Sequence, residues 1–336
     1  MKTYWLSTHL GYRCRHSGAC CSSGWPIPIE RDRAARVEQG VAALEVRPAV
    51  VPWLAPSPPN APTDVAGMLA LQPSGACAFH LGRPAAASCA VHAMRPASCE
   101  HFPYICTIDA RGVHVTLSHY CPTVAEGLFL DQPAVDIVEG PPLFGDGRLP
   151  EGLDAREALP PTTDVAGNER PVGRCDGRAR PRRLRLMDWD EVSRWERRLV
   201  REVSTAPGDP SSPNVSLFER ARAALPQGWS WADPPGDLEA VWSAHVAPAW
   251  PSWNEVTGRY LAAKAHASWA LHLGRGLADV RLAVDIARAV LQVEAIRACW
   301  QPPMRLNATR LKTAIRRCDL LLAHHVDPYR LFGSMA

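Results

Sequence analysis

Apolar positions recur at steps of three and four over residues 30–44, where Ala34, Val37, Val41 and Leu44 share one face and predict an amphipathic helix. Pro48, Pro52, Pro56, Pro58 and Pro59 then forbid a continued helix and predict an extended connection past Trp53. Residues 102–108 and 113–117 are rich in aromatic and β-branched side chains and flank Asp109-Ala110-Arg111-Gly112, which predicts a hairpin. From residue 131 to 181 Pro, Gly and Asp recur without a sustained period, the pattern of a linker or a surface loop. Helical periodicity takes over after that. Asp188-Trp189-Asp190-Glu191 has capping-box spacing and predicts a helix running to about Val203. Further helical stretches are predicted at residues 216–225, 238–246, 255–273, 278–299 and 307–324. In the last, Leu311, Ile315, Cys318 and Leu322 fall on one face, so Cys318 reads as a core thiol, and Cys299 beside Trp300 reads the same way. The expected fold is mixed and mostly α. It comprises an irregular cysteine-rich N-terminal domain with a short hairpin (residues 1–130), a Pro/Gly/Arg-rich linker (131–185) and an all-α domain (186–336).

Composition changes this picture only in places. The 336 residues are 46% hydrophobic and 21% charged, a globular balance. Of 37 basic residues only Lys2, Lys264 and Lys312 are lysines, a skew that fits GC-rich bacterial coding and weakens any argument from arginine to nucleic acid. The net charge of +3 selects no partner class. Residues 174–185 carry six arginines, which read as a solvated linker more readily than as a phosphate or nucleic-acid site. No uncharged apolar run is long enough to span a bilayer, and the start, Met1-Lys2-Thr3-Tyr4-Trp5-Leu6, lacks the apolar segment of a secretory signal. A cytoplasmic protein with no membrane partner is expected.

Cysteine usage is the informative departure. Eight of the 11 cysteines (Cys14, Cys20, Cys21, Cys77, Cys89, Cys99, Cys106 and Cys121) fall within the first 121 residues. In a reducing compartment such clustering points to metal or catalysis before disulfides. The loop Cys14-Arg15-His16-Ser17-Gly18-Ala19-Cys20-Cys21 can converge several sulfurs and turn backbone N–H groups toward them, which stabilises thiolate charge. Cys106, in the apolar run Tyr104-Ile105-Cys106-Thr107-Ile108, reads as a buried strand residue. His80, His92, His101, His114 and His119 are further ligand types, each of which alone reads as a surface or core histidine.

The order of these residues resembles the cysteine-cluster family described as zinc- or iron-chelating. That family runs CxxCxxCC, then GxCxF, a further Cys, an RPxxCRxFP segment and a late Cys-Pro. Cys14, Cys20 and Cys21 match the first, third and fourth cysteines, and Cys77, Cys89, Cys99 and Cys121 match the later ones. Arg95-Pro96 and Phe102-Pro103 match the segment around Cys99. The resemblance covers residues 12–123 and implies that these seven cysteines supply the metal ligands. Ser17 stands in place of the second cysteine, leaving that ligand missing or replaced by a neighbour such as His16, and Glu100 stands where the family has Arg.

The intervals after Cys21 are 56, 12, 10 and 22 residues, without the close pairs usual in structural zinc sites. An iron–sulfur cluster, such as [4Fe-4S], tolerates scattered thiolates better, since it spans several ångströms. Either cofactor remains open at this point. The cysteine domain followed by a helical half also resembles the flagellin lysine-N-methylases, which implies as an alternative an S-adenosylmethionine-dependent protein lysine N-methyltransferase acting on a protein partner. No Gly-rich strand-to-helix loop and no CxxxCxxC signature accompanies it. A metal-containing factor associated with nucleic acid through residues 174–185 is the remaining alternative.

Overall fold

A computed structural model of the chain describes residues 1–43, 47–58, 61–82, 89–132, 134–158, 162–164, 184–205, 212–273, 275–300 and 302–332. Packing divides the chain into two units. One comprises Met1–Gly11, Ile105–His119 and Ala125–Ala336, the other Tyr12–Tyr104 and Tyr120–Val124. These boundaries differ from 130 and 185. The hairpin joins the helical unit rather than the cysteine-rich one, because its strands are completed by the N-terminal strand Thr3–Leu6.

In the larger unit a five-stranded sheet runs in the spatial order Ile137–Gly140, Thr3–Leu6, Gly112–Leu117, Tyr104–Asp109, Leu153–Asp154. Thr3–Leu6 lies parallel to Gly112–Leu117 and antiparallel to Ile137–Gly140. Two of these strands therefore come from the segment read as linker. Residues 174–183, which hold most of the arginine run, lie outside the described residues.

The helices follow the periodicity closely. Trp189–Thr205 opens on the expected capping box: Glu191 N donates to Asp188 Oδ1 at 2.7 Å and Asp188 N to Glu191 Oε2 at 3.4 Å. Val215–Ala223, Leu238–Val241, Leu277–Trp300 and Ala308–Asp319 match predicted stretches, with Trp242–Val246 and Leu320–His325 continuing as wider π turns. The stretch 255–273 is broken into Asn254–Ala265 and Ala270–Leu273, because Ala267 adopts a left-handed φ of 54° that no helix continues through. Leu277–Trp300 is the central helix, buried along most of its length through Val284, Ala287, Val290, Leu291 and Ile296. Cys299 and Cys318 are buried in this core, as the pattern predicts. No helix among the described residues is long and apolar enough to cross a membrane.

The smaller unit holds a three-stranded antiparallel sheet (Pro28–Glu30, Val65–Leu69 and Leu54–Ala55 in spatial order, with Val65–Leu69 central) and the helix Arg31–Ala43. Ala34 and Val37 face Ile27, Ile29, Leu69, Phe79 and Val91 in a small core, against whose edge Cys21, Cys89 and Cys99 pack.

Candidate metal centre

The cysteine loop owes its shape to residues that accept a left-handed backbone. His16 has φ 53° and Gly18 φ 72°, after which Cys20–Ser22 forms a single 3-10 turn. Ser22 N and Cys21 N both donate to Gly18 O, closing the turn. The Sγ atoms of Cys20 and Cys21, adjacent in this turn, lie 3.9 Å apart. The turn is tied to the second cysteine segment by Cys77 N, which donates to Cys21 O at 2.7 Å. His80 and Cys89 form a β-bridge, which returns the chain beside Cys77. Cys99 lies on the short helix Ala97–His101, fastened by Ala97 N donating to Glu30 Oε2 at 3.2 Å. Glu100 pairs with Arg33 at 3.0 Å, so its carboxylate holds this helix to its neighbour.

Five thiols are thereby brought together: Cys20, Cys21, Cys77, Cys89 and Cys99. Each feels the charge of others in the group. Cys21 is pushed far up first by the neighbouring thiols Cys20, 3.9 Å away, and Cys89, and then by burial. Those two are correspondingly lowered, Cys89 to about 7, with help from the Cys21 donor, the Val91 backbone and Arg95. Cys77 is raised to about 11 and Cys99 higher still, first by burial and then by repulsion from neighbouring sulfurs. Thiolates so placed oppose one another's ionisation, and a bound cation relieves that opposition. The donor set fits a thiophilic metal centre.

The other two family cysteines stand elsewhere in the unit. Cys121 Sγ lies 3.7 Å from Tyr12 Oη, and burial first, with a smaller contribution from Cys14, pushes both groups up. Cys14 is exposed and groups with His16 and His92, whose ligand atoms all lie within 4.8 Å of one another. His16 thus stands with Cys14 beside the position where Ser17 replaces a cysteine. Arg95 Nη1, however, lies 2.9 Å from His92 Nε2, a fixed cation against a donor nitrogen. Cys14 thus neighbours His16 and His92, and Cys121 neighbours Tyr12. Cys106 is a buried strand residue, as its run predicts.

No family model, no curated protein and no solved structure matches the chain. The functional reading therefore rests on the residues themselves.

Among the described residues, the groups of three ligand atoms all within 4.8 Å of one another are Cys14–His16–His92 and His114–Glu196–His266. The second lies in the larger unit, and sequence reasoning missed two of its members. A signal for Glu196 was present: it falls on the apolar stripe Val192, Leu199, Val200, Val203 of its helix, where a carboxylate has no reason to be unless it has partners. Nearby, Lys264 borders a cavity of about 170 Å³ together with His266, Ser268 and Trp269, and pairs with the fully buried Asp319.

Proposed function

We propose that the smaller unit is a metal-holding module in which four of Cys20, Cys21, Cys77, Cys89 and Cys99 ligate an iron–sulfur cluster. The observation that carries this reading is the packing of Cys21, Cys89 and Cys99 on the small core that holds Cys77, with Cys20 3.9 Å from Cys21, although sequence neighbours among them are up to 56 residues apart. A tetrahedral zinc site, with Zn–S near 2.3 Å, draws its sulfurs to about 3.8 Å from one another. Cys20 and Cys21 meet that spacing at 3.9 Å, but no three of the five fall within 4.8 Å of one another among the described residues. The looser spread suits a polynuclear cluster, which needs one thiolate per iron. When bound, such a cluster supplies one-electron chemistry or a structural clamp. The chain's own contribution is a turn that brings the sulfurs of Cys20 and Cys21 together, a bridge that returns Cys89, and a small apolar core that excludes water from Cys77. The resemblance to chelating cysteine-cluster proteins supports the same reading.

Anaerobic purification followed by absorption spectroscopy and analysis for iron, sulfide and zinc tests it. Iron with matching acid-labile sulfide and broad visible absorption is the expected result. Zinc without sulfide replaces the cluster by a mononuclear site, and a metal-free protein that cannot be reconstituted with iron and sulfide overturns the reading.

A further inference from the structure

We propose that His114, Glu196 and His266 form a second, fully buried site for one divalent transition-metal ion of the zinc or ferrous-iron type, held by nitrogen and oxygen donors alone. Three elements bring the residues together. His114 is on the strand Gly112–Leu117, Glu196 on the helix Trp189–Thr205, and His266 ends the helix Asn254–Ala265. Each residue is at most 5% exposed, and their ligand atoms all lie within 4.8 Å of one another.

The hydrogen-bond pattern around them is that of oriented ligands. Metal-binding histidines hold their second nitrogen against a carboxylate or a backbone carbonyl. His114 Nε2 lies 3.3 Å from Asp109 Oδ1, and His266 Nε2 lies 3.4 Å from the carbonyl of Tyr4. On each ring that leaves Nδ1. Both nitrogens of His114 are buried without a hydrogen-bond partner among the described residues, Nε2 making only its 3.3 Å approach to Asp109, and His266 Nδ1 lies 3.0 Å from Glu196 Oε1. The carboxylate is divided in the same sense. Arg111 Nη1 holds Oε2 at 2.7 Å, while Oε1 faces the imidazole and Ala267 N. Arg111 also grips Asp109 at 2.7 Å, which fixes the outer carboxylate beside His114.

Charge and space point the same way. The buried carboxylates Asp109 and Glu196 share the one guanidinium of Arg111, with His114 and His272 beside Asp109 and His266 beside Glu196. A cation restores the balance in a region where unpaired charge is costly. A cavity of about 10 Å³, room for one water-sized body, is bordered by His114, Glu196 and Arg111 together with apolar side chains such as Val192 and Leu271, and by Ala265 and Ala267 on either side of His266, which does not itself line it. Two imidazoles and one carboxylate select zinc, iron or a close relative over magnesium or calcium. The left-handed Ala267 directly after His266 is where the helix gives up its path to form this corner.

The test separates this site from the sulfur site by its donor atoms. A chain carrying Cys14→Ser, Cys20→Ser and Cys21→Ser, stripped with chelator and reloaded with Zn²⁺, should retain about one zinc. Its X-ray absorption should show nitrogen and oxygen neighbours with imidazole scattering and no sulfur. Adding His114→Gln should weaken that zinc at least tenfold while the far-ultraviolet circular dichroism stays unchanged. A folded triple variant that retains no zinc overturns the proposal and leaves a protonated histidine as the balancing charge. Where the triple variant does not fold, the difference in zinc absorption between the unsubstituted chain and His114→Gln decides. A nitrogen and oxygen shell supports the site, and a sulfur shell or no difference overturns it. Sulfur-bound metal in these spectra reports separately on the thiol module.

Discussion

Cys20 and Cys21 place their sulfurs 3.9 Å apart in a single 3-10 turn. In an extended strand consecutive side chains point to opposite faces, so this approach depends on the tight backbone after Gly18. Cys21 is also influenced by Cys89, so the turn is coupled to the second cysteine segment.

Cys20→Ser and Cys21→Ser should therefore each lower bound metal, since a neutral hydroxyl replaces a thiolate and both a bond and a charge are lost. Ser17→Cys should leave metal content unchanged or raise it. Iron, sulfide and zinc analysis of the purified variants is the check. Full occupancy in both cysteine variants would place the centre elsewhere.

Gly112 follows the hairpin turn with φ 145°, and a Cβ there would run into the carbonyl of Lys2 on the neighbouring strand. That carbonyl accepts from Val113 N at 2.9 Å, so it has little freedom to retreat. Gly112→Ala should cost about 2 kcal/mol or more through the φ strain and the steric overlap together. Urea unfolding of the variant reads this as a lowered midpoint at an unchanged slope.

The helical half was legible because helices such as Trp189–Thr205 and Ala308–Asp319 expose one face and bury another, and capping chemistry at Asp188 marks its start locally. The sheet was less so. Ile137–Gly140 and Leu153–Asp154 are too short to show a period, and they become strands only because Thr3–Leu6 and the hairpin offer them edges. The thiol module shows the same division. A family resemblance suggested which cysteines form one set, but their order could not say that Cys121 stands beside Tyr12 or that Cys20 and Cys21 bring their sulfurs to 3.9 Å in one 3-10 turn. His266 carried no local signal at all. It joins His114 and Glu196 only through tertiary packing.

Two buried histidines make stability depend on pH. Burial lowers His324 to about 4 and His119 to about 3, against the opposing pull of Asp319. Ser118 Oγ lies 2.7 Å from both His324 Nε2 and Asp319 Oδ2. In the unfolded chain both rings take up protons near pH 6.5. The folded state resists protonation until lower pH, so stability is full above about 6.5 and falls as pH drops toward 4. The loss through His324 alone should approach roughly 3 kcal/mol at the low end. His324→Gln should flatten this part of the profile. Denaturant midpoints measured from pH 7 to 4 for both proteins are the check, and parallel profiles would count against it.

Cys318 lies on the apolar face of its helix, and on that ground alone a serine there should be costly. The structure reverses the order of substitutions. Tyr260 Oη donates to Cys318 Sγ at 3.1 Å, and the thiol itself reaches the carbonyl of Ala287 at 3.5 Å. A serine hydroxyl can accept from Tyr260 and donate to Ala287, so Cys318→Ser should cost only about 1 kcal/mol, chiefly from the lost sulfur volume. Cys318→Val keeps the apolar bulk but removes the acceptor. It leaves the fully buried Tyr260 hydroxyl with Asp319 Oδ1 at 3.3 Å as its remaining contact here. That substitution should cost more, about 1–3 kcal/mol. Thermal or urea unfolding of the two variants side by side decides, with the metal content of both expected to match the unsubstituted chain. A valine variant more stable than the serine one would show that the apolar surroundings, and not Tyr260, govern this position.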